Sequence, residues 1–257
     1  MSDLPTFDAS FAPKFTASPN PAWKSPQPIS ESTHGQEWLD GEKEGWQVIN
    51  AATENPWKLY GLMISGIVPR PIAFVSTISA DGHENLAPFS WFNQVSASPP
   101  IISISCANVP KTKDTPRNIR ETKEFTVNII SEAFIEGANG TSIDAPPEFN
   151  EWEASGLTRA PGVEVKPALV KESAFSMECE LYDTIEIKHP ANGAVTAILI
   201  LGLVKHIHVR KDVLAADGTV DPVRFKPVAR LGDITYGRIG DMFRIPRPPY
   251  VKPEEAK

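Results

Sequence analysis

Between Lys111 and Asn118 the chain reads KTKDTPRN, a run in which cations and hydroxyl groups crowd the place where a helix should begin. Thr115 is a candidate N-cap, and Pro116 suits the first helical position because its missing N–H would be unpaired there anyway. Free amides of a first turn and the positive end of the helix dipole favour an anion, and Lys113 or Arg117 could neutralise its charge. The same composition also suits an ordinary capped, solvated helix start. Another cation, Arg70, lies between Pro69 and Pro71. The prolines hold that stretch extended, so the guanidinium could meet a phosphate or carboxylate, or make a surface salt bridge.

Other reactive side chains are sparse. His206, His208 and Arg210 fall on one side of a strand, an arrangement that could bind a metal or sense pH, but with no clear third ligand a solvated face is expected. Cys106 and Cys179 are the only cysteines. They form no C-x-x-C pair, and Cys106 has no neighbouring base, so a small packing residue is expected. The sequence holds no G-x-S-x-G, H-E-x-x-H, G-x-G-x-x-G or phosphate-loop motif, which leaves hydrolytic, zinc and classical dinucleotide-binding machinery without a visible site.

The elements that must position these groups read mostly as strands. Ile72 to Ile78 is rich in β-branched and aromatic residues, Asp81-Gly82 supplies a hairpin turn, and the chain returns through Asn85 to Phe92. In IISISC, Ile102, Ile104 and Cys106 share one face, while Ser103 and Ser105 leave room for a ligand on the other. A helix over Pro116 to Lys123 leads into the strand FTVNII, and residues 131 to 156 look helical and acidic, with breaks at Gly140 and Pro146-Pro147. Met177, Cys179 and Leu181 alternate with polar residues, Asn192-Gly193 signals a type I′ turn, and Ala194 to Arg210 returns as a long strand. Pro56 opens a short helix carrying Trp57, Leu59, Tyr60 and Met63. The pattern is mainly β with peripheral helices, a barrel rather than a parallel doubly wound sheet. Residues 1 to 55 are rich in proline yet carry Trp23, Trp38 and Trp46, which predicts an irregular arm docked on the body or on a neighbouring subunit.

With 257 residues, 41% of them hydrophobic, the chain can build a real core. A net charge of −7 argues against nucleic-acid binding by phosphate neutralisation. The longest apolar run, Ala194 to Val204, is too short to span a membrane, and MSDLPTFDAS lacks a secretory pattern, so a cytoplasmic location is expected.

Three signatures, PRPIAFVST from Pro69, G-x-x-N-L-A-P-F-S from Gly82 and S-x-x-P-P, make the chain resemble the flavin reductase-like proteins. That resemblance implies an FMN-binding split β-barrel over 56–210, with an N-terminal arm (1–55) and a C-terminal extension (211–257) closing the flavin site or a dimer interface. In that family a K-D-T-x-x-N sequence sits near the FMN phosphate, and Lys113, Asp114, Thr115 and Asn118 match it. The A-P-[FY]-S stretch borders the isoalloxazine ring, which makes Ala87, Pro88, Phe89 and Ser90 candidates. Ser105, Cys106, Ala107 and Asn108 align with a strand end lining that ring, Val127 and Asn128 with the next strand, and Gly232 and Tyr236 with the closing segment. Arg70 is a further cofactor candidate. The resemblance also implies a homodimer and transient NADH or NADPH, with hydride passing from nicotinamide to the flavin. The alternative is an FMN storage or sensing protein without turnover, whose nicotinamide face is blocked by an aromatic such as Trp91, Phe92 or a tryptophan of the arm.

Overall fold

Seven strands form where the alternation is strongest. In the computed structural model, which describes residues 4–108 and 112–250, they are β1 (Ala73–Ile78), β2 (Glu84–Phe89), β3 (Phe92–Ala97), β4 (Pro100–Ala107), β5 (Glu124–Ile129), β6 (Phe175–Lys188) and β7 (Val195–Val209). They make one antiparallel sheet in the order β2-β1-β5-β6-β7-β4-β3. The outermost strands, β2 and β3, are consecutive in the chain and separated only by Ser90 and Trp91. The sheet therefore rolls, and the two edges meet at that bend in a split barrel.

One residue in two along each strand faces the interior. Ala73 and Val75 of β1, Ile102, Ile104 and Cys106 of β4, Phe125 and Val127 of β5 and Ile198 and Ile200 of β7 form one buried cluster, each large apolar side chain contributing roughly 1.5–3 kcal/mol. Gly202 of β7 is required by this packing, because a Cβ there would overlap the Phe125 ring. The connecting helices are α1 (Pro56–Gly66), α2 (Asp114–Thr122) and α3 (Glu151–Ser155), and α2 covers one end of the barrel by sending Ile119 into the interior cluster. The opposite face of β1 and β2 presents Phe74 and Leu86 to Phe134, Ala138 and Trp152 of the helical 131–156 stretch.

Both expected hairpins occur, with different turns. Only Gly82 (φ 92°) and Gly193 (φ 71°) take the left-handed conformation, and neither Asp81 nor Asn192 joins them. The loops are closed by Ser79 N–H to His83 O (2.8 Å) and His189 N–H to Ala194 O (2.8 Å). They are thus three- and four-residue loops ending in glycine, not two-residue type I′ turns.

Residues 60–239 form one compact unit, and residues before 60 with those from 240 onward form another. Within the second unit, Phe15–Thr16 pairs in parallel with Met242–Phe243. An α-helix at Thr33–Asp40 departs from the expected irregularity of this segment. Ser32 caps it by accepting from Gly35 N–H at 3.0 Å, a local signal that the abundance of proline obscured. Among the described residues no helix is long and apolar enough to cross a membrane.

Glu178 is the deepest carboxylate of the barrel, fully buried on the outer face of β6. It accepts from the amides of Val163 (2.8 Å), Glu164 (2.8 Å) and Val165 (2.9 Å), and lies 2.6 Å from His208 Nε2. Burial alone would raise its pKa, but these hydrogen bonds outweigh it and hold the carboxyl at about 2, against an ordinary 4.5. A depressed carboxylate stabilises the fold above its unfolded value and loses that contribution as pH falls through its folded value. Glu178→Gln is therefore expected to cost about 3 kcal/mol at pH 7, with the difference from wild type shrinking as pH drops from 4.5 toward 2. Urea denaturation at neutral and acid pH measures it; an equal loss at both would show that ionisation contributes nothing.

Candidate functional site

The cationic segment folds as a helix start, with a different cap from the expected one. α2 begins at Asp114, its N-cap is Lys113 and no side chain caps it. Thr115 lies inside the first turn and Pro116 follows it, in a stretch where a proline still costs no helical hydrogen bond. Lys111 lies outside the described residues. The first-turn amides therefore donate no hydrogen bond to the cap side chain, and they lie at the positive end of the dipole beside Lys113, with Asp114 in the same turn.

The helix is held on the barrel end by its other face. Ile119 enters the interior cluster, the Thr115 hydroxyl accepts from Asn85 Nδ2 at 2.9 Å, and Asn118 Nδ2 donates to Thr77 Oγ1 at 3.1 Å. Asn118 is 2% exposed, and its Oδ1 has no hydrogen-bond partner. Lys113 lies 3.4 Å from Asp144, and Asp114 pairs with Arg117 at 2.6 Å. Asn85 and Thr77, which the sequence reading misses as site residues, stand inside two of the three signatures that carry the resemblance. Beside the outer face of α2 runs a cleft of about 340 Å³, lined by Ser79, Asp81, Glu84, Asn85, Asp114 and Arg117 among others. The Asp81 carboxyl, bonded by Ser79 Oγ and His83, is held below its usual range.

The bend between β2 and β3 brings two other expected segments together. Ala87, Pro88 and Phe89 are half-buried on β2, Ser90 is in the bend, and Ser105 N–H of β4 donates to Trp91 O at 2.8 Å. Pro88 is accommodated because β2 is an outermost strand. Asn108 continues from β4, with N–H to Thr196 O (2.9 Å) and Nδ2 to Val195 O (3.0 Å), while its Oδ1 is buried and unpartnered. Ala107 is exposed at the strand end.

Several candidates are placed elsewhere. Cys106 and Val127 point into the core, so only their backbones could border a ligand, and burial pushes the Cys106 thiol up to about 12. The other thiol, Cys179, is raised by the same desolvation. Asn128 is fully buried and satisfied, donating to Phe74 O (3.1 Å) and accepting from Val170 N–H (2.9 Å). Gly232 packs against Ser65, where a Cβ would come within 3.0 Å of its Cβ. Tyr236 donates to Asn139 Oδ1 at 2.8 Å beneath the Arg230 guanidinium, 4.5 Å from the ring centre. The histidines meet carboxylates, His206 with Glu164 at 2.9 Å and His208 with Glu178. Among the described residues no group of three or more His, Cys, Asp or Glu could hold a metal.

Arg70 departs furthest from expectation. At 7% exposure, its guanidinium donates to the carbonyls of Ile64, Ile67 (2.7 Å) and Leu231 (2.8 Å) and to Ser90 Oγ (3.4 Å). It satisfies carbonyls that end α1, at the negative pole of that helix, rather than facing an external anion. Its backbone bridges Arg230 in both directions, at 3.0 and 2.9 Å. Arg70→Met should leave those carbonyls unpaired and destabilise the barrel by roughly 3 kcal/mol. Thermal melts of the variant check this, and an unchanged midpoint would show that α1 and the 230s segment do not depend on the guanidinium.

Residues 65–226 match the flavin reductase like domain. An uncharacterized protein of Halalkalibacterium halodurans is 40% identical over 191 residues, covering 74% of this chain and 90% of its own. The crystal structure of nitrilotriacetate monooxygenase component B from Bacillus cereus is similar with a TM-score of 0.75 at 32% identity, over 78% of this chain and 99% of that one. That of 2-nitrobenzoate 2-nitroreductase NbaA from Pseudomonas fluorescens gives 0.70 at 26% identity, over 80% and 98%. With the rolled sheet, the uncapped helix start and the paired bend already in place, the match over 65–226 makes this chain a member of the flavin reductase like family of flavin-binding split barrels.

Proposed function

We propose that the protein binds FMN and is an NAD(P)H-dependent flavin oxidoreductase that acts as a homodimer. The observation that carries this reading is the start of α2: first-turn amides with no capping side chain, Lys113 beside them, and the buried, unpartnered Asn118 Oδ1 one turn on. The amides and Lys113 suit the phosphate, and the Asn118 carbonyl suits a ribityl hydroxyl, since an orphaned buried acceptor gains most from a donor. Ala87 to Ser90 and the end of β4 would border the ring, the latter through its backbone at Cys106. Bound flavin supplies hydride acceptance at N5; the chain's own part is to bind, orient and exclude water. Exposed Val95, Ile67 and Val68 offer apolar surface for a second copy. Two buried free thiols fit a reducing compartment such as the cytoplasm.

Two measurements test the proposal. Lys113→Glu should weaken FMN about tenfold or more while leaving riboflavin, which lacks the phosphate, unaffected; equal loss for both would remove Lys113 from the phosphate site. Anaerobic addition of NADH or NADPH to the FMN-loaded protein should bleach the flavin's visible absorbance, and a flavin that stays oxidised with both favours storage or sensing over turnover.

A further inference from the structure

We propose that the Trp91 indole, braced by Tyr60, is the lid over the open face of the flavin. This rests on the reading that places the ring edge along Ala87 to Ser90. Trp91 follows Ser90 directly, in the bend that joins the two outermost strands. Its backbone is fixed on both sides, by Ser105 N–H to Trp91 O at 2.8 Å and by the pairing of Phe92 with Ile104. The indole itself is 42% exposed, so it can turn about its own torsions from a stationary base.

The brace has the same anchor as the bend. Tyr60 meets Trp91 edge-on, with ring centroids 6.5 Å apart and planes at 65°, a geometry that attracts because a positive ring edge faces a negative ring surface. Tyr60 belongs to α1, a helix with no buried residue. What fixes the end of α1 is Arg70, through Ile64 O and Ile67 O, and the same guanidinium reaches Ser90 Oγ at 3.4 Å. One buried cation therefore registers the helix carrying Tyr60 against the turn carrying Trp91. A large aromatic left half-exposed at such a junction covers apolar area when a flat ring lies beneath it. An electron-rich indole over an isoalloxazine also stacks well and quenches its emission.

The FMN-loaded protein and its Trp91→Ala, Trp91→Phe and Tyr60→Ala variants test this by three readouts: FMN affinity, emission of bound flavin, and the rate at which oxygen reoxidises the chemically reduced flavin. Bound FMN should be quenched in the wild type. Trp91→Ala should restore emission severalfold, speed reoxidation severalfold and weaken FMN severalfold, because the stacking contact is lost. Trp91→Phe should restore emission yet keep reoxidation slow, because a ring still covers the face, and Tyr60→Ala should fall between. Bound flavin whose emission and reoxidation ignore Trp91→Ala overturns the lid alone. So does a loss of emission change in Trp91→Phe, whose ring volume guards against misfolding. A wild-type protein that takes up no FMN overturns the flavin reading and the lid with it.

Discussion

Two residues join strands at opposite ends of a seven-stranded order, and that constraint shapes everything around it. Laid flat, the outer strands would be roughly 29 Å apart at about 4.8 Å per step, whereas the link from Phe89 to Phe92 reaches about 10 Å at most. The sheet can satisfy both only by rolling until β2 and β3 lie end to end. Rolling turns alternate residues of every strand inward, which is why Ile102, Ile104 and Cys106 meet Val75 and Val127 in one cluster. The β3–β4 hairpin then carries its register, Phe92 opposite Ile104, one step further, so that Ser105 N–H meets Trp91 O within the bend. Closure leaves an open barrel end, and α2 fills it with Ile119.

A barrel closed in this way has little room for unpaired polar groups, and the buried ones are tied to chain segments that have no sheet of their own. Glu178 gathers three successive amides of the 163–165 loop. Asn128 takes the Val170 amide, and Arg70 the carbonyls of Ile64, Ile67 and Leu231. Each group would cost several kcal/mol if stripped of partners in a dry interior. Loops and helix ends are thus held by polar side chains that themselves depend on those loops, and neither can leave without exposing the other's debt of hydrogen bonds.

Much of this order was legible in the sequence because it rests on short-range rules. The alternation of Ile102, Ile104 and Cys106, or of Met177 and Cys179, marks the inner faces, and glycine marks both hairpins. The helical cover over 131–156 followed from its pattern and breaks. What was not legible depends on partners distant in the chain. Arg70 between two prolines looks available for an anion until Leu231, 161 residues on, arrives beside it. Asn128 and Val127 match a family motif, yet their strand is covered on both faces from Phe125 to Asn128, all four of which are buried. Thr115 reads as a cap by type and spacing, but Asn85 draws its hydroxyl toward β2 and leaves the cap position to Lys113.

That displacement of the cap sharpens the electrostatics of the proposed phosphate site. The cleft along α2 is bordered by Asp81, Glu84, Asp114, Glu121 and Glu148 against Arg117 and His83, and Arg117 is already paired with Asp114. A dianion entering through the cleft meets net negative charge within a Debye length of about 8 Å. At the helix start the amides are fixed dipoles and Lys113 stands next to them, itself 3.4 Å from Asp144. An anion held there has the dipoles and a cation that it shares with Asp144. Its hold is only as good as the helix's placement. Thr115 and Asn118, by bonding Asn85 and Thr77 instead of a ligand, fix α2 on the barrel end where that placement is decided.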